Sequence, residues 1–421
     1  MSELVHTRRT CRLCDSPNIE LSVPLARVPI VSPNVGKEQD ESGQQLTKVM
    51  APLDNYLCMN CGLSQLIHVV DPSLIYRDYL YRTSVSLGLP EHFRSLAEAV
   101  LTRLELSNDD LVCEFGSNDG TLLNYFKEHG MAVQGVDPAR QIAAEATARG
   151  VPTLPEFFNV SLAQKIQTER GSARAIIANN AMANIDDLGE ILGGVKALLA
   201  SDGAFVFETQ YALDMFDKTL LDVIYHEHIS TFSVRPVALA FERHGLEVFN
   251  AERIPTKGGS IRFWIQHAGA ARPIDANVAD LMALEERTGL YDLKYHKRFA
   301  DKVQRLKSEV HMCIDGVRRD GGKVGGYGTS VGCAALIHQF ELEDRLDFLF
   351  DDTPFKPRLE GPGYNLPVHN TAGVYDVSPE LIVILAWRYA EPIMAKHQRF
   401  VDAGGTFVVP LPDVVTSMTA K

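Results

Sequence analysis

The stretch Val112-Cys113-Glu114-Phe115-Gly116-Ser117-Asn118-Asp119-Gly120-Thr121-Leu122-Leu123 decides the reading of the chain. A short apolar strand over Leu111 to Cys113 runs into an acid, then a turn of small residues, then a helix from Thr121. Gly116 and Gly120 allow a tight turn and a close approach by a ligand. The new helix offers unpaired N–H groups at its start. A strand–turn–helix of this kind sits at the carboxyl edge of a parallel sheet, where doubly wound folds bind nucleotide-like ligands.

The spacing is acid-x-Gly-x-x-x-Gly rather than the dinucleotide G-x-G-x-x-G, and Asn118 and Asp119 occupy the turn. Acids there suit a pyrophosphate poorly, because like charges repel. They suit a ligand carrying an amine and a sulfonium, such as S-adenosylmethionine. The next strand, Ala132 to Val136, ends in Asp137. That is the place expected for a ribose-binding carboxylate, about 20 residues after the turn. Asp119 would then face the methionine amine and Asp137 the ribose.

Outward from this motif, helix and strand alternate through Ala139–Ala148, Ala175–Asn180 and Gly203–Glu208, as in a parallel α/β sheet. Asn179 and Asn180 end one of these strands and could cap the ligand from its other side. The chain has 421 residues, room for two or three domains. A net charge of −13 argues against a nucleic-acid surface. No apolar signal segment follows Met1–Arg9, and the densest apolar run, Leu381 to Trp387, is too short to span a bilayer. A cytoplasmic protein with no membrane partner is expected.

Toward the N-terminus lie Cys11-Arg12-Leu13-Cys14 and Cys58-Met59-Asn60-Cys61. Two C-x-x-C knuckles in a reducing compartment point to tetrahedral zinc, and four thiolates leave no open position for chemistry. Paired disulfides are the alternative, disfavoured by compartment. Three tyrosines within Tyr76-Arg77-Asp78-Tyr79-Leu80-Tyr81 form either a packing strip or a reach into the active site.

Toward the C-terminus comes Tyr225-His226-Glu227-His228. Its spacing lacks the i, i+4 pairing of H-E-x-x-H metal sites, and a general base beside an acid fits better. A surface loop is the alternative. On an extended backbone His226 and His228 would share one face, with Tyr225 and Glu227 on the other. Lys257-Gly258-Gly259-Ser260-Ile261-Arg262 is either an anion contact or a bulge before a strand. A polar helix over roughly Val278 to Arg319 then leads to a second glycine turn, Gly325-Gly326-Tyr327-Gly328-Thr329-Ser330. The strand Leu346–Phe350 follows and ends in Asp351-Asp352, with Lys356 and Arg358 nearby. This turn holds hydroxyls and no acid, so it could take phosphate at a helix start.

Together these motifs resemble the S-adenosylmethionine-dependent nucleotide-sugar C-methyltransferases of deoxysugar biosynthesis. The resemblance covers nearly the whole chain. It implies an α/β protein with a small zinc-binding N-terminal domain (1–86), a central class I methyltransferase doubly wound sheet (87–254) and a C-terminal Rossmann-like substrate domain (255–421). The implied reaction methylates a carbon α to a ketone, C-3 of a nucleoside-diphosphate-linked keto-deoxysugar, through a His-catalysed enolate. The family's base falls on His228, with Tyr225, Glu227 and Tyr79 lining the site. Asn184 stands where many relatives carry histidine, and Asn cannot carry a proton at neutral pH.

Cofactor contacts are expected from Glu114, Gly116, Asn118, Asp119, Gly120, Asp137, Asn179 and Asn180. Substrate contacts are expected from Lys257, Arg262, Gly328, Thr329 and Ser330, and a structural Zn2+ on Cys11, Cys14, Cys58 and Cys61. A monomer or weak homo-oligomer is expected. The competing reading is an NAD(P)-dependent nucleotide-sugar oxidoreductase using the C-terminal glycine turn.

Overall fold

The computed structural model describes residues 4–30, 50–79, 81–86, 88–352 and 366–417. Lys356 and Arg358 lie outside the described residues. The chain forms two compact units, each assembled from separate pieces of sequence. The first comprises Met1–Glu20, Tyr56–Leu213 and Ile229–Tyr291; the second comprises Leu21–Asn55, Asp214–His228 and Asp292–Lys421.

The first unit is organised on a seven-stranded sheet. Its strands are β1 (Leu111–Phe115), β2 (Ala132–Val136), β3 (Thr153–Leu154), β4 (Ala173–Asn179), β5 (Leu199–Gln210), β6 (Leu246–Ile254) and β7 (Ser260–His267). They lie in the order 3-2-1-4-5-7-6. The pairs from β3 through β5 are parallel, as helical crossovers require, and β7 runs antiparallel to both β5 and β6. The strand Ser260–His267, which follows the expected boundary at 254, is thus part of the central sheet. All five residues of β1 are buried, the signature of a parallel strand covered on both faces.

One face packs against helix α1 (Leu89–Arg103), whose Phe93, Leu96 and Val100 recur at helical spacing and join the core of Val112, Ile177 and Trp264. The other face carries a stack of rings. Phe207 lies 4.8 Å from Phe263, 5.4 Å from Phe205 and 6.0 Å from Phe241, centroid to centroid. Within the cysteine-bearing segment Val5–Thr7 pairs with His68–Val70, and the segment reaches further along the chain where Ser64 and Gln65 pair antiparallel with Thr231 and Ser230.

The second unit has its own sheet of β8 (Val324–Tyr327), β9 (Phe348–Asp351), β10 (Val368–Asn370), β11 (Leu381–Ile384), β12 (Thr406–Val409) and β13 (Val415–Thr416). The order is 10-9-8-11-12-13, parallel except at the last edge. This is the strand order of a Rossmann-like fold. The single helix expected over Val278–Arg319 is two, Ala276–Thr288 and Leu293–Arg319. Gly289 ends the first at φ 77°, a left-handed cap that ends a helix.

Phe207→Ala removes a ring enclosed by four others, Phe205, Phe232, Phe241 and Phe263, so it should cost about 3–5 kcal/mol. Chemical denaturation should show a lower midpoint with an unchanged slope.

Candidate active site

The turn after β1 gathers the expected acids. Asp137 accepts from Asn118 N (2.8 Å) and Ala139 N (2.9 Å), so both carboxylate oxygens brace the loops at the carboxyl edge. Asp119 accepts from Ser84 N (3.1 Å) and from the Thr121 hydroxyl (2.6 Å). Asn118 accepts from Thr83 N (2.9 Å) and donates to Tyr81 O (2.9 Å). Asn118 and Asp119 therefore lay the tyrosine linker across the turn, a second duty the sequence reading did not assign them. Tyr79 is half-buried between Tyr76 and Tyr81, with centroids 5.7 and 6.1 Å away.

Glu114 is buried, and its Oε2 has no hydrogen-bond partner among the described residues; nor does the buried Ser117 hydroxyl. Burial, then the charges of Asp137 and Asp119, push the Glu114 carboxyl well above its ordinary value. Burial also raises Asp137. Asp119 is held below its ordinary value: burial opposes this, but hydrogen bonds from Ser84 and Thr121 prevail. Gly116 (φ 70°) would bring a Cβ to 2.7 Å from Ala181, and Gly120 (φ 75°) one to 3.0 Å from Val151. Only glycine keeps this turn open. A cradle of acids with orphaned buried acceptors fits a cationic cofactor, as S-adenosylmethionine is.

Asn179 and Asn180 end β4 on the neighbouring strand. Asn179 donates to Glu208 Oε2 (3.3 Å) and takes a bond from the Asn180 amide. Glu208, at the end of β5, was missed by the sequence reading. It also meets His92 Nε2 (2.6 Å) and Arg262 Nε (2.5 Å). Burial opposes its ionisation, but His92 and Arg262 hold its carboxyl below the ordinary value. Arg262 is itself buried and reaches Glu252 at 3.5 Å, so its charge is compensated inside the sheet edge. An acid at a strand end was the available signal, the same one that marked Glu114. Lys257 is exposed and left-handed (φ 53°) in the turn before β7. Asn184 lies in a one-turn helix, Met182–Asn184, and its buried Oδ1 has no partner among the described residues.

In the second unit, Tyr225 to His228 is a turn, not the extended segment considered above: His228 N donates to Tyr225 O (2.9 Å). Tyr225 and His228 therefore meet, rings 4.2 Å apart, with the phenol oxygen 3.1 Å from His228 Nε2. His228 Nδ1 lies 2.9 Å from Val223 O. A carbonyl only accepts, so Nδ1 carries the proton and Nε2 is the acceptor, taking the Tyr225 hydroxyl proton in its hydrogen bond. His226 is buried with Nε2 3.1 Å from Pro52 O, and Glu227 is buried beside it in sequence. In the C-terminal glycine turn, Thr329 donates through its N (3.0 Å) and its hydroxyl (2.5 Å) to Asp351, the strand-end acid. Gly328 N donates to Phe350 O (2.8 Å), and Ser330 caps the next helix through Cys333 N (3.3 Å).

The four cysteine sulfurs lie within 4.8 Å of one another, with Cys11–Cys61 at 3.6 Å and Cys14–Cys58 at 3.5 Å. Tetrahedral zinc with Zn–S bonds near 2.3 Å needs S···S edges of about 3.8 Å. The donor set and spacing fit, so Cys11, Cys14, Cys58 and Cys61 would hold the metal.

Models of three protein families match in series: a zinc binding domain over residues 11–76, a methyltransferase domain over 90–251, and a C-methyltransferase C-terminal domain over 255–412. The C-methyltransferase NovU of Streptomyces niveus is 34% identical over 414 residues, 98% of both chains. The chain belongs to the C-methyltransferase family. Among solved structures, a methyltransferase from Clostridium acetobutylicum is 11% identical with TM-score 0.34, covering 42% of this chain and 92% of its own. The magnesium protoporphyrin IX methyltransferase of Synechocystis PCC 6803, solved with S-adenosylhomocysteine, is 12% identical with TM-score 0.35, covering 43% and 84%. This C-methyltransferase depends on S-adenosylmethionine and carries an N-terminal structural zinc site. None of its described helices is long and apolar enough to cross a membrane.

Glu114 prefers its proton in the folded chain. Its stabilising contribution is whole below the unfolded carboxyl value of 4.5 and is lost as pH rises through the raised folded value. Glu114→Gln mimics the neutral acid, so its thermal midpoint should exceed wild type by a few degrees at pH 8 and match it near pH 4. Differential scanning calorimetry across pH checks this.

Proposed function

We propose that the enzyme methylates a carbon α to the ketone of a nucleoside-diphosphate-linked keto-deoxysugar, at C-3, with His228 as the base. The observation that carries this reading is the fixed tautomer of His228. With Nδ1–H spent on Val223 O, Nε2 is oriented as a proton acceptor at 3.1 Å from a phenol. Imidazole has the near-neutral basicity that α-proton removal favours.

S-adenosylmethionine supplies an electrophilic methyl on a sulfonium. The chain's part is to make and steer the carbon nucleophile. When the substrate draws the Tyr225 hydroxyl from Nε2 onto its ketone oxygen, where charge develops, His228 Nε2 is released to take the α proton, and the C–H pair becomes the enolate. Tyr79 and Glu227 complete the proposed lining. The buried Asn184 Oδ1 has no partner among the described residues, which suits a substrate hydroxyl, and an amide does not shuttle protons at neutral pH. Glu114, Gly116, Asn118, Asp119, Gly120, Asp137, Asn179 and Asn180 hold the methyl donor in this reading, and Lys257, Gly328, Thr329 and Ser330 the substrate's anionic part. Arg262 would act indirectly, by fixing Glu208 and so Asn179.

The division into 1–86, 87–254 and 255–421 is proposed as three functional parts. The nicotinamide reading would place a dinucleotide against the C-terminal turn and Asp351; the match of residues 255–412 to a C-methyltransferase C-terminal domain favours methyl transfer over it.

His228→Asn keeps a polar side chain and removes the base. Turnover of a nucleotide-linked 4-keto sugar, followed by mass spectrometry, should fall by about 10²–10⁴-fold. S-adenosylhomocysteine affinity should stay near wild type. Turnover at the wild-type rate would remove His228 from the mechanism.

A further inference from the structure

A C-x-x-C knuckle needs its thiols and its turn; it does not need the residue at its centre to be buried or charged. Here that residue is Arg12, between Cys11 and Cys14, and its side chain is 0% exposed. A buried guanidinium is costly unless every N–H finds an acceptor. All three guanidinium nitrogens of Arg12 find acceptors, from separate segments of the chain. Its Nε donates to Asp186 Oδ1 (2.9 Å), its Nη1 to Ile229 O (2.8 Å) and the Ser230 hydroxyl (3.3 Å), and its Nη2 to Leu66 O (2.9 Å). Gln65 Oε1 accepts from the Arg12 backbone N (3.1 Å) and from Nη1 (3.4 Å). Only the rigid five-donor fork of arginine can hold acceptors in this arrangement; the single ammonium of lysine cannot.

The partners lie beside proposed catalytic residues in the chain. Asp186 is two residues beyond Asn184, and Ile229 directly follows His228. Asp187, not Asp186, caps the helix Leu188–Leu198, through Glu190 N at 3.1 Å. Asp186 faces the N-terminal segment instead, taking His6 Nε2 (3.0 Å) and Arg8 Nη1 (3.2 Å) in addition to Arg12. The short strand Ser230–Thr231 packs beside the turn Met182–Asn184, so Arg12 braces two neighbouring segments at once.

We propose that Arg12 is a positioning residue for methyl transfer: zinc on the flanking thiolates fixes its backbone, and its guanidinium fixes the Asn184 loop and the chain leaving His228. The metal site thereby sets active-site geometry as well as local stability. This rests on the proposed roles of Asn184 and His228.

The test compares Arg12→Met, Arg12→Lys and Asp186→Asn with wild type as full chains. Zinc content, S-adenosylhomocysteine affinity, kcat and KM on a nucleotide-linked keto sugar, and amide exchange over 182–187 and 229–231 are measured. Arg12→Met and Asp186→Asn should keep one zinc per chain and S-adenosylhomocysteine affinity within about twofold, while kcat falls about tenfold or more and KM barely moves. Arg12→Lys should recover part of kcat. Exchange in both segments should quicken about tenfold or more, and removing zinc from wild type with a chelator should quicken the same two segments.

Unchanged kcat, or exchange that changes only at the knuckles, overturns the proposal. Should Arg12→Met not fold, Asp186→Asn decides, because it leaves the knuckle intact: lowered kcat and faster exchange support the clamp, and wild-type values overturn it. A wild-type enzyme inactive on keto sugars contradicts the proposed substrate, and exchange alone then decides for or against the clamp.

Discussion

A carboxyl group buried at the end of a central parallel strand must have either a proton or a cation. Glu114 is that group, and its charged neighbours are the acids Asp137 and Asp119. The fold places all three at one edge: β1 delivers Glu114, β2 leads to Asp137, and the turn between β1 and its helix presents Asp119. Such an edge is tuned for a positively charged guest. The glycines at 116 and 120 keep the turn free of side chains, and the tyrosine linker is laid over it by Asn118 and Asp119.

The chemistry proposed for the substrate side has a separate origin. A histidine is a useful base only when the right nitrogen is bare, and that is a matter of hydrogen bonds rather than composition. The turn at Tyr225–His228 sets it, since one carbonyl, Val223 O, selects the tautomer and one phenol meets the opposite nitrogen. Tyr225 and His228 are three apart in sequence and would face opposite ways on a strand; the turn brings them together.

What sequence could reveal was what neighbouring residues decide. The strand–turn–helix at Leu111–Glu128, the two knuckles and the second glycine turn are each set by contiguous residues, and each appears where expected. The turn at His228 was not legible, because its hydrogen bonds belong to a tertiary context. Nor was the pairing of Arg262 with Glu208, 54 positions away, which follows from β7 lying antiparallel beside β5. Nothing in the sequence singles out Arg12; its guanidinium meets Asp186 and Ile229, 174 and 217 positions along the chain. The break at Gly289 was available locally and passed over in favour of one long polar pattern.

The acid-lined edge as cofactor site is tested most directly by calorimetric titration of S-adenosylhomocysteine into wild type and Asp137→Asn, with the thermal midpoint as control for folding. Asn retains an acceptor for one of the two loop amides and loses the charge. Binding weakened by about tenfold or more with the fold intact is the predicted result. Equal affinity in the two proteins would contradict it.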